Sequence, residues 1–472
     1  MGTTRTLRTL MAALVVIGGL MVFPSVAMAD APPNDEIAGA TAITGLPYSE
    51  PLPFNDATWN ITDPIPCISS YAHTLWFTVT PAETKRLLLS IPSYSFTIDV
   101  FTGAPGSLTR VACTTNWGPE FRFDAVAGTQ YYILVTAAGD MTLTVDESGP
   151  GPANDAFENA ASIETYDFED TVDVSTAISP LDDPKCSDWN VQHSVWYRYT
   201  APADATVTLS ATATFVDPRI GIYRGSKGNL TQVAYCGINT FKAEQGKTYR
   251  LLVGSTLPEA GEISFSFHAR KPSSITFTAT PNPVKYGKRV RLTATLHGYV
   301  PGTHPTVSIY RDLVLSPPLI ASGPVNDEGV FSTLVSPKAY TRYAARWEGD
   351  GEFLSDYTPV KVKVRVIVRG KLRYQYGQSG RYALYHSGKS PGYLFSIVPK
   401  HRPLHVRLDH YSGGWRHLAD DAFNPNRDGV ALVFVNPDIL ATGGSYRIRA
   451  AYRGDRDHLG DHAPWSYFRV TP

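Results

Sequence analysis

The sequence predicts an all-β protein: four β-sandwich domains in a row behind a signal peptide. Three observations predict it. Apolar and polar residues alternate with a period of two, as over 206–213, 288–296 and 446–452, which sets one face in a core and the other in water. Turn residues are abundant (38 Gly and 36 Pro in 472 residues) and punctuate these runs at sandwich-like spacing, while no long amphipathic helix breaks the pattern. Finally, the chain repeats itself at intervals the size of a small domain.

In chain order, Arg5 and Arg8 precede an apolar run from Leu10 to Ala27, and Ala27-Met28-Ala29 supplies a small-x-small cleavage site. Residues 1–29 therefore read as a signal peptide cleaved after Ala29, which predicts an extracellular, released protein. The alternative is an uncleaved N-terminal anchor, the one case in which a membrane becomes a partner. No later stretch approaches the roughly 20 apolar residues of a spanning helix.

The first repeat pair is explicit. Leu75-Trp76-Phe77-Thr78-Val79-Thr80 matches Val195-Trp196-Tyr197-Arg198-Tyr199-Thr200, and Gly128 to Val135 matches Gly246 to Val253. Asn34-Asp35 is echoed by Asn154-Asp155. A fainter pair follows: Asn326-Asp327-Glu328-Gly329 resembles Asn426-Arg427-Asp428-Gly429, and Trp347-Glu348-Gly349-Asp350 resembles Tyr452-Arg453-Gly454-Asp455. These repeats set domain boundaries at 30–148, 149–269, 270–366 and 367–472. Both Asn-x-x-Gly segments read as hairpin turns.

All four cysteines fall in the first pair, two per repeat at matching places. This predicts Cys67–Cys113 and Cys186–Cys236 disulfides in an oxidising compartment. The formal net charge of −1 hides an asymmetry. Residues 30–266 carry 12 Lys and Arg against 28 Asp and Glu, whereas residues 267–472 carry 28 against 15. One reading is drift in surface composition. The other assigns the basic half to an anionic polymer such as cell wall or extracellular polysaccharide, with Ca²⁺ as a candidate ligand of the acidic half. No nucleic-acid module is recognisable, so nucleic acid is not an expected partner.

Candidate chemistry is sparse, and the chain is expected not to be an enzyme. Gly388-Lys389-Ser390-Pro391-Gly392 fits a nucleophile-elbow pattern, but the residue after the serine is a proline, which has no N–H for an oxyanion. His458 and His462, flanked by Asp457 and Asp461, have metal-like spacing only on a helix, and Gly454 and Gly460 argue for a loop. His386, His401, His405, His410 and His417 read as surface histidines. Asn34, Asp35, Asn154 and Asp155 are repeated oxygen donors with two readings, helix caps or Ca²⁺ ligands; no other cofactor is expected. Trp76 and Trp196 sit mid-strand and read as core. Trp415, after a glycine turn, forms with Tyr411 and Tyr393 the candidate sugar-stacking set, against a packing role between sheets.

Two family resemblances follow. Asn154 to Ala160, Ser194-Val195-Trp196-Tyr197, Pro218 to Gly225 and Gly246-Lys247-Thr248-Tyr249 resemble pre-peptidase C-terminal domains, bacterial β-sandwiches that accompany secreted peptidases. That resemblance covers about half the chain and implies an auxiliary role in substrate binding or maturation. Thr280-Pro281-Asn282-Pro283, Tyr286-Gly287 and the Asn-x-x-Gly turns resemble bacterial immunoglobulin-like repeats. Gly414-Trp415-Arg416 and Tyr446 to Ala450 are similar to secreted repeats of high-GC Gram-positive bacteria. These imply stalks and adhesion modules, and the two resemblances together imply two jelly-roll-like sandwiches followed by two immunoglobulin-like ones. The function expected is a secreted, non-catalytic binding or adhesion protein for extracellular polymer. The alternative is an accessory partner of a separate secreted peptidase or other hydrolase.

Overall fold

A computed structural model describes residues 30–67, 73–93, 96–114, 118–186, 191–214, 218–255, 260–311, 317–401 and 403–472. The expected signal peptide lies outside the described residues. Everything regular in them is strand, apart from three single 3-10 turns.

The period-two pattern becomes paired sheets. In the first unit a five-stranded sheet runs, in spatial order, Thr41–Ile43, His73–Val79, Tyr131–Ala137, Phe96–Ala104 and Ser107–Cys113. It packs on a four-stranded sheet of Tyr48–Leu52, Met141–Glu147, Lys85–Ser90 and Glu120–Ala125. Leu75, Phe77, Leu87, Leu89, Ile98, Ile133 and Val145 fill the space between them. The second unit repeats both sheets strand for strand, including the parallel pairing of its short first strand: Thr41 faces Phe77 as Ala161 faces Tyr197. Its core is built on Val195, Tyr197, Leu251, Phe265 and Phe267.

Trp76 and Trp196 are buried as expected, but on the other side of the five-stranded sheet. There Trp76 packs with Phe101 and Leu134, and Trp196 with Phe157, Tyr223 and Leu252. The segments after Leu52 and after Asp173 wrap over these faces. The disulfides Cys67–Cys113 and Cys186–Cys236 close at that cover, each within its own repeat.

The third core is enclosed by a three-stranded sheet (Ser274–Thr280, Val290–His297, Val330–Val335) and a four-stranded one (Leu319–Pro324, Thr306–Arg311, Thr341–Trp347, Asp356–Val362). The fourth has Ile367–Arg373, Gly392–Val398 and Val430–Phe434 facing a large sheet centred on Ser445–Gly454. That large sheet also takes in Val364–Arg365 and, beyond it, Val284–Lys285 of the third unit.

The Asn-x-x-Gly segments are turns but not hairpins. Asn326 Oδ1 accepts the Glu328 and Val330 amides, Asn426 Oδ1 those of Asp428 and Val430, and Gly329 and Gly429 take φ near +75°. The strands they join lie in opposite sheets, so each turn carries the chain across the sandwich. Alternation reveals a strand but not which sheet receives it, and that is why the hairpin expectation fails.

Candidate functional site

The repeated Asn-Asp pairs come first, as the expected caps or Ca²⁺ ligands. Asn34 Nδ2 donates to the Trp76 carbonyl at 3.3 Å while the Trp76 amide returns a 2.8 Å bond to the Asn34 carbonyl. Asn154 and Trp196 repeat this at 3.1 and 2.8 Å. Asp35 accepts the Thr58 amide and hydroxyl, both at 2.6 Å. Asp155 accepts the Ile178 amide at 3.0 Å and meets Arg86 of the first unit at 2.7 Å. Burial raises the Asp155 carboxyl from its ordinary value, partly offset by Arg86. The 3-10 turns Ile37–Gly39 and Phe157–Asn159 do follow, yet neither is capped by a side chain. These four residues pin a loop to a strand, and both carboxylates are engaged by protein donors.

The outer face of the large C-terminal sheet is different. On Ser445–Gly454, Tyr446, Ile448 and Ala450 point into the core, so Arg447 and Arg449 point out. On Ser466–Thr471 the same alternation turns Tyr467 and Arg469 outward. Cross-strand register sets Tyr382 beside Tyr467, Tyr467 beside Arg447, Arg447 beside Asp409, and Asp409 beside His417. The result is a lattice of guanidinium groups and rings. Arg447 lies 4.8 Å from the centroid of Trp415 and 4.1 Å from that of Trp465; Arg449 lies 4.2 Å over Trp465. Arg381 stacks 4.2 Å over Tyr467, and Arg469 4.8 Å over Tyr382. Each such contact contributes about 0.5–1 kcal/mol at an exposed site.

Asp409 organises the centre of this face. Its side chain is fully buried; one oxygen accepts Arg407 Nε at 2.7 Å and the other Arg447 Nε at 2.8 Å. Burial alone would raise its carboxyl, but the hydrogen bonds and charges of Arg407 and Arg447 hold it below the ordinary value. It neutralises one of those two cations. Arg381, Arg449 and Arg469 form no ion pair with a carboxylate among the described residues, so the face carries a net positive charge. A guanidinium laid on a ring keeps its N–H edge toward water, a pre-positioned fork for carboxylate, phosphate or sulfate oxygens.

Of the expected sugar-stacking set, Trp415 and Tyr411 belong here, in edge contact at 5.3 Å, with Tyr411 half exposed. Tyr393 does not. It is fully buried between the sheets with its hydroxyl accepting the Ala450 amide at 3.2 Å, and burial pushes that hydroxyl up to about 12. The expected set missed Tyr382, Trp465, Tyr467 and the four arginines that stack on this face. Their signal was the i, i+2 spacing of Arg447 and Arg449, and of Tyr467 and Arg469. His458 and His462 point apart: His458 is buried against the Lys338 carbonyl, whereas His462 is exposed. Ser390 stands in the link between the turn at 387–388 and the strand Gly392–Val398.

No protein-family profile matches the chain, and no curated protein matches it in sequence. Among solved structures it is similar to a DUF4785 family protein from Legionella pneumophila, at 10% identity and TM-score 0.24, over 63% of this chain and 87% of that one. It is similar to the BSP domain of a biofilm associated protein, at 8% identity and TM-score 0.15, over 86% and 98%. The CUB1-EGF-CUB2 domains of rat MASP-1 follow at 9% identity and TM-score 0.14, over 47% and 97%. At these scores the likenesses carry no argument about function.

Proposed function

We propose that this chain is a secreted, non-catalytic binding protein whose C-terminal sheet adheres to an anionic extracellular polymer, a cell-wall polymer or an acidic polysaccharide. The arginine–aromatic lattice around Trp415, Trp465 and Tyr467 is the observation that carries this reading. Guanidinium groups held against rings lose little further freedom on binding, and they repeat along strands that rise about 3.3 Å per residue and across neighbours about 4.8 Å apart. A linear polyanion lying on that face meets several cations at once. The excess of Lys and Arg over residues 267–472 adds a long-range attraction of the same sign. The acidic first pair, resembling pre-peptidase C-terminal domains, is repelled by the same polymer and projects from it. Two disulfides suit an oxidising extracellular setting.

Co-sedimentation of the full mature chain with isolated cell wall tests this. Binding should weaken steeply between 0.1 and 1 M salt, as the Debye length falls from about 10 to about 3 Å. Replacing Arg449 and Arg469 together with Ala should weaken it at least several-fold and flatten the salt dependence. Binding that ignores both salt and the double substitution would return the charge asymmetry to surface drift.

A further inference from the structure

A second cluster lies where the fourth unit meets the third, away from the arginine face. Asp455 begins a turn in which its Oδ1 accepts the Asp457 amide at 2.8 Å and the His458 amide at 2.7 Å. Its Oδ2 accepts the Tyr452 hydroxyl at 2.8 Å. His401, from a distant loop, stacks on Tyr452 and brings Nδ1 to 3.2 Å from Asp455 Oδ2, and its ring meets that of His458 edge-on at 4.6 Å. One ligand atom from each of His401, Asp455 and His458 lies within 4.8 Å of the other two.

The hydrogen-bond inventory points to a ligand. His458 is 7% exposed, and its Nε2 sits 2.7 Å from the Lys338 carbonyl, which can only accept. Nε2 therefore carries the proton and Nδ1 presents a bare lone pair. That Nδ1 is buried, lies 3.8 Å from Asp455 Oδ1, and has no hydrogen-bond partner among the described residues, while His401 Nδ1 is held toward the same carboxylate by a 3.3 Å contact with the Tyr452 hydroxyl. A backbone carbonyl fixing the tautomer of one imidazole, and amide and phenol donors orienting a carboxylate, are the outer contacts that metal ligands carry.

We infer that His401, Asp455 and His458 form a site for a divalent transition metal of the Zn²⁺ type, which fastens the turn after Tyr452 to the loop that carries His401, beside the third unit. Two imidazole nitrogens and one carboxylate suit Zn²⁺ with a water completing four-coordination, and not Ca²⁺, which takes six to eight oxygens. Tetrahedral ligands about 2.0–2.2 Å from the ion stand about 3.3–3.6 Å apart; His401 Nδ1 and His458 Nδ1 lie 3.2 and 3.8 Å from the two Asp455 oxygens, and with all three ligand atoms within 4.8 Å of one another the site needs an adjustment of about 1 Å at most. The partner elements are already in place: Lys338 holds His458, and the Tyr340 amide donates to the Asp457 carbonyl at 2.8 Å.

The test is calorimetric titration of Zn²⁺ into chelator-treated full mature chain, with thermal unfolding followed with and without the metal. One equivalent should bind with sub-micromolar affinity and raise the Tm. His401→Gln and His458→Gln should each weaken that equivalent by at least about 100-fold, since losing even an outer contact costs roughly 10–100-fold. His462→Gln should leave it intact. Should His458→Gln fail to fold for want of its Lys338 contact, His401→Gln alone decides. Absence of the tight equivalent in the parent chain, its persistence in His401→Gln, or its loss in His462→Gln overturns the assignment.

Discussion

Asp99→Asn isolates the effect of one buried charge. Asp99 is fully buried on the outer side of the first five-stranded sheet; one oxygen is 2.7 Å from Arg110 Nε and accepts the Cys67 amide at 3.2 Å. Its other oxygen has no hydrogen-bond partner among the described residues. Burial dominates over Arg110, pushing the carboxyl from 3.8 up to about 6. The folded state thus binds a proton more tightly than the unfolded chain. The stability this contributes is fully present below pH ~4 and is lost as pH rises through about 6. Two pK units correspond to about 3 kcal/mol. Asn keeps an acceptor for Arg110 and cannot ionise. The stability of the parent relative to the variant should therefore be about 2.4 kcal/mol greater at pH 4, where the unfolded carboxyl is already partly ionised, than at pH 8, where Asn is the better residue. Pulse proteolysis in urea on the full chain, following fragments of residues 30–148, measures this; differencing the two proteins cancels other titrations. A stability difference that stays constant across that range refutes the burial argument. The sister position is Gly221, so the fold does not depend on a carboxylate there.

Three further outcomes are expected. Replacing Cys186 and Cys236 with Ser opens a loop of 50 residues and should cost about 4 kcal/mol in the second unit, read from its urea midpoint under non-reducing conditions. Arg86→Ala leaves Asp155 buried without its guanidinium, and a loss of about 3 kcal/mol should lower the first calorimetric transition; an unchanged transition would show the pair to be neutral. Gly429→Ala places a Cβ 2.6 Å from the Ile397 carbonyl at φ +78°, so at least about 1–2 kcal/mol should be lost, visible as a lower Tm.

Strands, cysteine pairing and the doubled unit were legible because each rests on local period or on internal repetition. The roles of Asn34 and Asn154 were not. Their partners, the Trp76 and Trp196 carbonyls, lie 42 residues away, and a cap and a tertiary pin look alike in sequence. Tyr393 could have been placed correctly, since it alternates in step with Phe395 and Ile397, the apolar face of its strand. The arginine face draws on residues from Arg381 to Arg469 across five strands. Alternation says which residues point outward, but only register says which of them meet. His401 and His458 were read as unrelated for the same reason.

The strand Val364–Arg365 has neighbours on both sides, Val284–Lys285 before it and Leu459 after it, all running parallel. The Tyr286 amide donates to the Arg365 carbonyl at 2.8 Å and the Val366 amide to the Leu459 carbonyl at 3.1 Å. What sequence repetition divides at residue 366 is thus stitched by main chain, leaving no free swivel between the last two units. Tension applied across this junction along its strands would fall on parallel bonds in shear, which must break together, and not on a hinge that opens one bond at a time. Were the final sheet held to a surface, the third unit would be carried on it stiffly, with shear and not swivelling as the mode of failure.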